Sequence, residues 1–210
     1  MKVKTVSYAV LGQLAFRPWA AYELIKEMKR NFHYFFPKAE SGLYAELKKL
    51  EREGLVKAEK NTKGKKERTV YSITTDGKKQ LMEWLSTEPD HYWLEFDGLL
   101  RVFLSRFGNE MSLKNTLLKV KADNNMLIQL AEKVGNEYLS DSAPSQSEIV
   151  ERAMIFDFLL HYSMLYQGWL SRTKKYLNQV SKMSKDQAEM KAKSIIKSQL
   201  EQFGLKVNDR

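Results

Sequence analysis

The chain has 210 residues, 43% hydrophobic and 29% charged, with a formal net charge of +9, three histidines and no cysteine. That composition belongs to an ordered, helix-rich protein rather than a disordered chain, and the length suits two small domains. Without cysteine there are no disulfides, thiolate metal sites or cysteine nucleophiles, and no apolar run is long enough to cross a bilayer. The basic start, Met1–Thr5, leads into an apolar stretch that ends at Arg17-Pro18 with no small-residue cleavage site. A secretory signal is therefore not expected, and the cytoplasm is the expected compartment.

Val6, Ala9, Val10 and Leu14 recur at helical spacing and the run stops at Arg17-Pro18, which predicts a first helix over Thr5–Phe16. Pro18 is expected to open a second helix, because a first-turn residue needs no amide hydrogen, and Tyr22, Leu24, Ile25 and Met28 carry it to about Arg30. The aromatic cluster Phe32, Tyr34, Phe35 and Phe36 runs into Pro37, which biases Phe36 away from helical geometry and predicts a turn. Leu43, Leu47 and Leu50 form the buried stripe of a third helix, roughly Glu40–Glu53, and Gly54 is placed to end it in a left-handed cap. Off that stripe lie Ser41, Gly42, Tyr44, Ala45, Lys48 and Lys49, free for solvent or a partner.

The period then changes. Leu55–Asn61 and Arg68–Thr74 read as two short strands joined by residues 62–67, with Gly64 at the turn of a β-hairpin. Lys57, Lys60, Lys63, Lys65, Lys66 and Arg68 face only Glu59 and Glu67 there, so the hairpin is cationic. Thr75 is expected to cap a fourth helix over Asp76–Trp84, with Leu81, Trp84 and Leu85 facing inward.

Beyond Thr87-Glu88-Pro89-Asp90 the pattern is helical: about Tyr92–Phe107, then Ser112 to about Tyr138, then about Ser145 to Val180. In the second of these, Leu113, Leu117, Val120, Leu127, Val134 and Tyr138 form a heptad-like seam interrupted by Asn124, which reads as a pairing surface. The third is apolar nearly all round from Ile149 to Trp169, and a partner chain is the natural cover. The amphipathic, lysine-rich stretch from about Ser184 to Phe203 reads either as a last helix or as a frayed tail.

The expected fold is thus mainly α. A winged helix-turn-helix of three helices, a β-hairpin wing and a linker helix occupies residues 1–88, and an α-helical dimerisation domain occupies residues 89–210. Residues 1–86 hold 18 lysines and arginines against 10 acidic residues, whereas residues 87–210 hold 17 against 16, so the positive excess is N-terminal. A basic half joined to a neutral half suggests that one end meets a polyanion.

His33, His91 and His161 stand beside aromatics with no second histidine or carboxylate at metal-ligand spacing, so no metal site is expected. There is no glycine-rich phosphate loop and no nucleophile, base and orienter set; neither an enzyme nor a cofactor is expected. A helix presenting small and polar residues at its start suits the major groove of duplex DNA, while neighbouring lysines neutralise phosphates. Ser41 and Tyr44 are the candidate groove-facing residues, with Lys38 at the helix entry and Lys48 further along. Tyr44 reads alternatively as half-buried against the second helix. Lys63, Lys65, Lys66 and Arg68 are the candidate wing contacts to the DNA backbone or minor groove. The competing expectation is a winged-helix module that binds protein or RNA; Lys48 and Lys49 argue against it, while Glu40 and Glu46 soften that argument.

The ordered runs Tyr8-Ala9-Val10-Leu11-Gly12-Gln13-Leu14, Ala21-Tyr22-Glu23-Leu24, Phe35-Phe36-Pro37, Leu43 through Val56, and Tyr71 through Lys78 together resemble the PadR family of bacterial transcriptional regulators. The resemblance covers about residues 5–86, and the C-terminal half, with Gln167-Gly168-Trp169-Leu170, is similar to the helical dimerisation region of longer members. It implies a homodimer whose paired recognition helices read an inverted-repeat operator in double-stranded DNA, usually as a repressor. It further implies a small aromatic or hydrophobic effector near the dimer interface, which adds an effector role to residues 89–210. Trp93, Phe96, Phe156 and Trp169 are the candidate residues there, with Phe103, Tyr162 and Tyr166 beside them; dimer core is the alternative reading for each. Two features depart from the family pattern: Trp19-Ala20-Ala21 stands where many members have a small pair such as Ser-Gly, and some thirty residues follow Leu177 as a C-terminal extension.

Overall fold

Three successive helices that each carry one apolar stripe leave water together by packing those stripes on a common centre. In the computed structural model this centre is built by α1 (Thr5–Phe16), α2 (Ala21–Phe32) and α3 (Glu40–Arg52). The structure describes residues 5–32, 35–63, 66–91, 94–140 and 148–206, with the side chains of 61–67 outside the description. Val10, Leu11 and Leu14 from α1 meet Leu24, Ile25 and Met28 from α2 and Leu43, Leu47 and Leu50 from α3, all buried. Truncating one such leucine to alanine costs about 2–5 kcal/mol.

Around these helices run β1 (Trp19–Ala20), β2 (Val56–Lys63) and β3 (Lys66–Ile73), an antiparallel sheet in the order β1-β3-β2. The hairpin register runs from Val56 opposite Ile73 to Lys63 opposite Lys66, so both strands reach closer to the turn than their apolar pattern suggests. Pro18 does not open a helix. Trp19 and Ala20 instead pair with Tyr71 and Val70 of β3, and α2 begins at Ala21. The Trp19 indole donates to the Gln13 carbonyl at 3.2 Å, and the Arg17 guanidinium lies 3.4 Å over the indole ring. The linker is held extended by its pairing with β3, a non-local contact that overrides the local preference of proline.

Gly54 ends α3 with φ of 73°, the left-handed conformation expected of it. The next cap differs from expectation: Thr74, not Thr75, precedes α4 (Thr75–Leu85) and accepts from the Gly77 amide at 3.1 Å. Thr74 also donates its hydroxyl to the Gly54 carbonyl at 2.8 Å, which joins the end of α3 to the start of α4. Gly77 is required by the same closure, because a Cβ there would lie 2.2 Å from the Leu55 carbonyl oxygen. On α4, Leu81 packs on the core and Trp84 stacks on Tyr8 at 4.5 Å, but Leu85 is 67% exposed rather than inward. These elements lie in the first of two compact units, Met1–Trp93; the second is Leu94–Arg210.

The second unit consists of α5 (Asp97–Phe103), a 3₁₀ turn (Ser105–Phe107), α6 (Glu110–Tyr138), α7 (Ile149–Val180) and α8 (Lys185–Gln202). The helix expected from Tyr92 is shorter, because Phe96 adopts extended backbone and places its ring 5.1 Å from Tyr166 and 6.1 Å from Trp169. α6 and α7 run antiparallel: Tyr138 meets Phe156 edge-on at 6.5 Å, while Asn124, further back on α6, meets Ser163, further on along α7. The heptad-like seam is therefore engaged within the chain. Its interruption is filled by a buried hydrogen bond in which Ser163 donates to Asn124 at 2.9 Å. The stretch left open between helix and tail is a helix, α8, started by a capping box in which Ser184 and Gln187 bond each other's backbone.

Large apolar side chains nevertheless stay in solvent. On α7, Met154, Phe158, Met164 and Leu165 are exposed, as are Leu118 and Met126 on α6. No described helix is long and apolar enough to cross a membrane.

Candidate nucleic-acid interface

α2, the turn after it and α3 form the helix-turn-helix. The turn ends at Ala39, whose extended backbone (φ −65°, ψ 143°) precedes α3 without a side-chain cap. Lys38 is exposed there, its ammonium 4.8 Å over the Phe36 ring. Lys29 of α2 pairs with Glu40 in the first turn of α3 at 2.6 Å, so one ion pair spans the motif.

Burial divides α3 cleanly. Leu43, Glu46, Leu47 and Leu50 face the core, and Ser41, Gly42, Tyr44, Ala45 and Lys48 face solvent. Ser41, Tyr44 and Lys48, spaced three and four residues apart, share one exposed face, with Lys38 at its entry. Tyr44 is 36% exposed, on the open side of α3. Lys49 is less available than its sequence position suggests, because it is bound to Glu46 at 3.1 Å and Glu53 at 3.9 Å.

Glu46 corrects the sequence reading most. It does not lie on the open face; it is 9% exposed and accepts a hydrogen bond from Ser7 of α1, which is wholly buried. A buried carboxylate is tolerated only when its charge is bonded, and here the Ser7 hydroxyl and Lys49 ammonium do this. The pair ties α3 to α1 across 39 residues of sequence, a distance over which helical periodicity carries no signal.

In the wing, β3 places Arg68 on the face opposite buried Tyr71, and Arg68 donates to Glu23 of α2 at 3.2 Å. Lys57 hydrogen-bonds Glu59 at 2.7 Å, and this bond together with the lysine charge holds the Glu59 carboxyl below its ordinary pKa. The backbones of Lys63 and Lys66 pair across the end of the hairpin, but their side chains, and all of Lys65, lie outside the described residues.

The aromatic candidates fall in separate places. Phe96 and Trp169 meet at 6.1 Å beside Tyr166, whose hydroxyl shares a 2.8 Å hydrogen bond with that of Tyr162. Phe156 packs instead on Tyr138, thirteen residues before Trp169 and so roughly 20 Å away along the helix. Phe103 is 80% exposed, and Trp93 lies outside the described residues. Of the histidines, His33 lies outside the described residues and His91 is exposed. His161, contrary to expectation, has a carboxylate beside it, Asp157 one turn earlier, with Oδ1 3.3 Å from Nδ1 on an open helix face. Among the described residues no three histidines or carboxylates gather at metal-binding distance.

Residues 10–83 match the model of the transcriptional regulator PadR-like family. Over 84 residues the chain is 32% identical to the negative transcriptional regulator PadR of Bacillus subtilis, an alignment that covers 40% of this chain and 46% of that protein. The chain thus spans about half the length of the curated relative it matches. A crystal structure of Bacillus subtilis PadR in complex with operator DNA superposes with a TM-score of 0.68 at 24% identity, covering 82% of this chain and 98% of the other. The same protein in complex with p-coumaric acid gives 0.61 at 23%, over 82% and 96%. These superpositions extend past the helix-turn-helix into the second unit, and the likeness they show is one of fold.

Proposed function

We propose, from the match of residues 10–83 to the PadR-like family, that the protein is a sequence-specific DNA-binding transcriptional regulator, a homodimeric repressor without enzymatic activity. The observation that carries this reading is the open face of α3. Ser41, Tyr44 and Lys48 project together from a helix whose other side is fixed in the core, with Lys38 beside its start. A helix held this way can lie in the major groove, where its hydroxyls reach base edges or backbone and its lysines neutralise phosphates. The wing adds phosphate contacts through Lys63, Lys65 and Lys66, which contribute affinity more than sequence choice.

Two copies are needed to read an inverted repeat, and the exposed Met154, Phe158 and Leu165 on α7 support a second chain as their cover. The aromatic group of Phe96, Tyr166 and Trp169, with the Tyr162–Tyr166 hydroxyl pair beside it, supports a small aromatic effector. Such an effector acts only if it binds one spacing of the two recognition helices more tightly than the other.

The test is a gel-shift titration on genomic fragments that include the region upstream of the chain's own gene, with and without p-coumaric acid. Saturable retention of a subset of fragments by two chains per site supports the proposal, and release by the acid supports the effector. Equal retention of every fragment, or retention of RNA alone, contradicts sequence-specific reading of duplex DNA.

A further inference from the structure

Arg68 belongs to the basic wing, yet its charge is already answered. β1 pairs with β3 at Trp19–Tyr71 and Ala20–Val70, so α2, which begins at the next residue, starts alongside the strand that carries Arg68. Glu23 in the first turn of α2 reaches the guanidinium at 3.2 Å, and both side chains are about half exposed. A carboxylate and a DNA phosphate offer a guanidinium the same thing, oxygen acceptors in a fork carrying negative charge. Glu23 is also favourably placed, because it lies in the first turn of α2 and the first turn of a helix favours an acidic side chain. The acidic side chain therefore occupies the place that a phosphate on the wing would take.

We infer that Glu23 is an internal competitor for Arg68 that lowers the protein's affinity for DNA of arbitrary sequence. With Glu23 in place, Arg68 adds no net charge to the wing, and a phosphate must displace the carboxylate before it gains the contact. Non-specific affinity comes almost entirely from such phosphate contacts, whereas specific affinity also draws on the α3 face. An answered arginine in the wing therefore raises the ratio of specific to non-specific binding. This inference rests on the reading of the wing as a DNA-contacting element.

The experiment measures binding of the full chain to a random-sequence duplex between about 50 and 200 mM salt, for wild type, Glu23→Gln, Arg68→Gln and the double variant. Both substitutions fall on side chains about half exposed, and thermal melts verify that the three variants fold. Arg68→Gln in the wild-type background should leave the slope of log affinity against log salt unchanged. Glu23→Gln should steepen it by about 0.9, the share of one phosphate, equivalent to roughly threefold more affinity lost across that salt range. The double variant should return to the wild-type slope. If Arg68→Gln alone flattens the slope by about one, Arg68 already meets phosphate and the inference fails. If Glu23→Gln strengthens binding equally with and without Arg68, the carboxylate acts by general repulsion and the inference also fails. A wild-type chain that retains no duplex at any salt overturns the DNA-binding reading itself, and this inference with it.

Discussion

Removing one hydroxyl from the core should loosen α3 without touching its open face. Ser7 is wholly buried and donates to the carboxylate of Glu46, itself 9% exposed, whose other partner is Lys49 at 3.1 Å. In Ser7→Ala the smaller side chain fits without a clash, and the space left by a hydroxyl is too small to admit a replacing water. Glu46 is then left with one donor, the Lys49 ammonium. A hydrogen bond to a charged group contributes about 1.5–3 kcal/mol, and its loss falls on the contact between α1 and α3. Native-state hydrogen exchange reads this locally: protection at the amides of Leu11, Leu47 and Leu50 should fall by about tenfold to a hundredfold, since 1.4 kcal/mol is a factor of ten. In a Glu46→Gln background the same serine replacement should cost only the neutral share, about 0.5–1.5 kcal/mol. Unchanged protection in Ser7→Ala would refute the claim that this pair holds α3 in place.

Three further outcomes are expected. Gly77→Ala should destabilise the first unit by about 2 kcal/mol or more, because its Cβ would press on the Leu55 carbonyl and Ile73, whereas Gly12→Ala, with open space around it, should be neutral or mildly stabilising in thermal melts; equal melts for the two would contradict the close approach. Burial, and after it the charge of Glu51, raises the pKa of Tyr71 above its ordinary 10.0, so the folded state holds the phenolic proton more tightly than the unfolded state. That contribution is intact below about pH 10 and is lost as pH rises through the folded value, so Tyr71→Phe should show a shallower loss of stability in alkali than wild type; parallel losses would count against it. Phe158→Glu puts a charge at an exposed apolar position of α7 and should weaken self-association at least about tenfold in sedimentation, while a wild-type chain that sediments as a monomer would remove the basis for a dimer.

Much of the first unit was legible because its signals are local and periodic. Leu43, Leu47 and Leu50 mark the buried side of α3, and Gly54 supplies its left-handed end. The open face was legible as the complement of that stripe. What escaped depends on partners distant in sequence. Two residues, Trp19 and Ala20, are too few to show a strand's alternation, and their pairing with Tyr71 and Val70 arises only once the hairpin exists. Glu46 looked solvated because glutamate usually is, and only Ser7 on another helix makes its burial tolerable. The same holds for Asn124, a flaw in an apolar seam until Ser163 meets it, and for Arg68, one more wing cation until Glu23 is seen beside it. The aromatic residues share a composition but not a location, since Phe156 and Trp169 occupy different parts of one long helix.

The most direct test of the account is a fluorescence-anisotropy titration against the fragment retained best, comparing wild type with a Lys38→Ala, Lys48→Ala double variant over a series of salt concentrations. The variant should bind more weakly, with the slope of log affinity against log salt reduced by about 1.8, the release of two counterions. Identical slopes for the two proteins would show that the exposed face of α3 does not meet the phosphates of DNA.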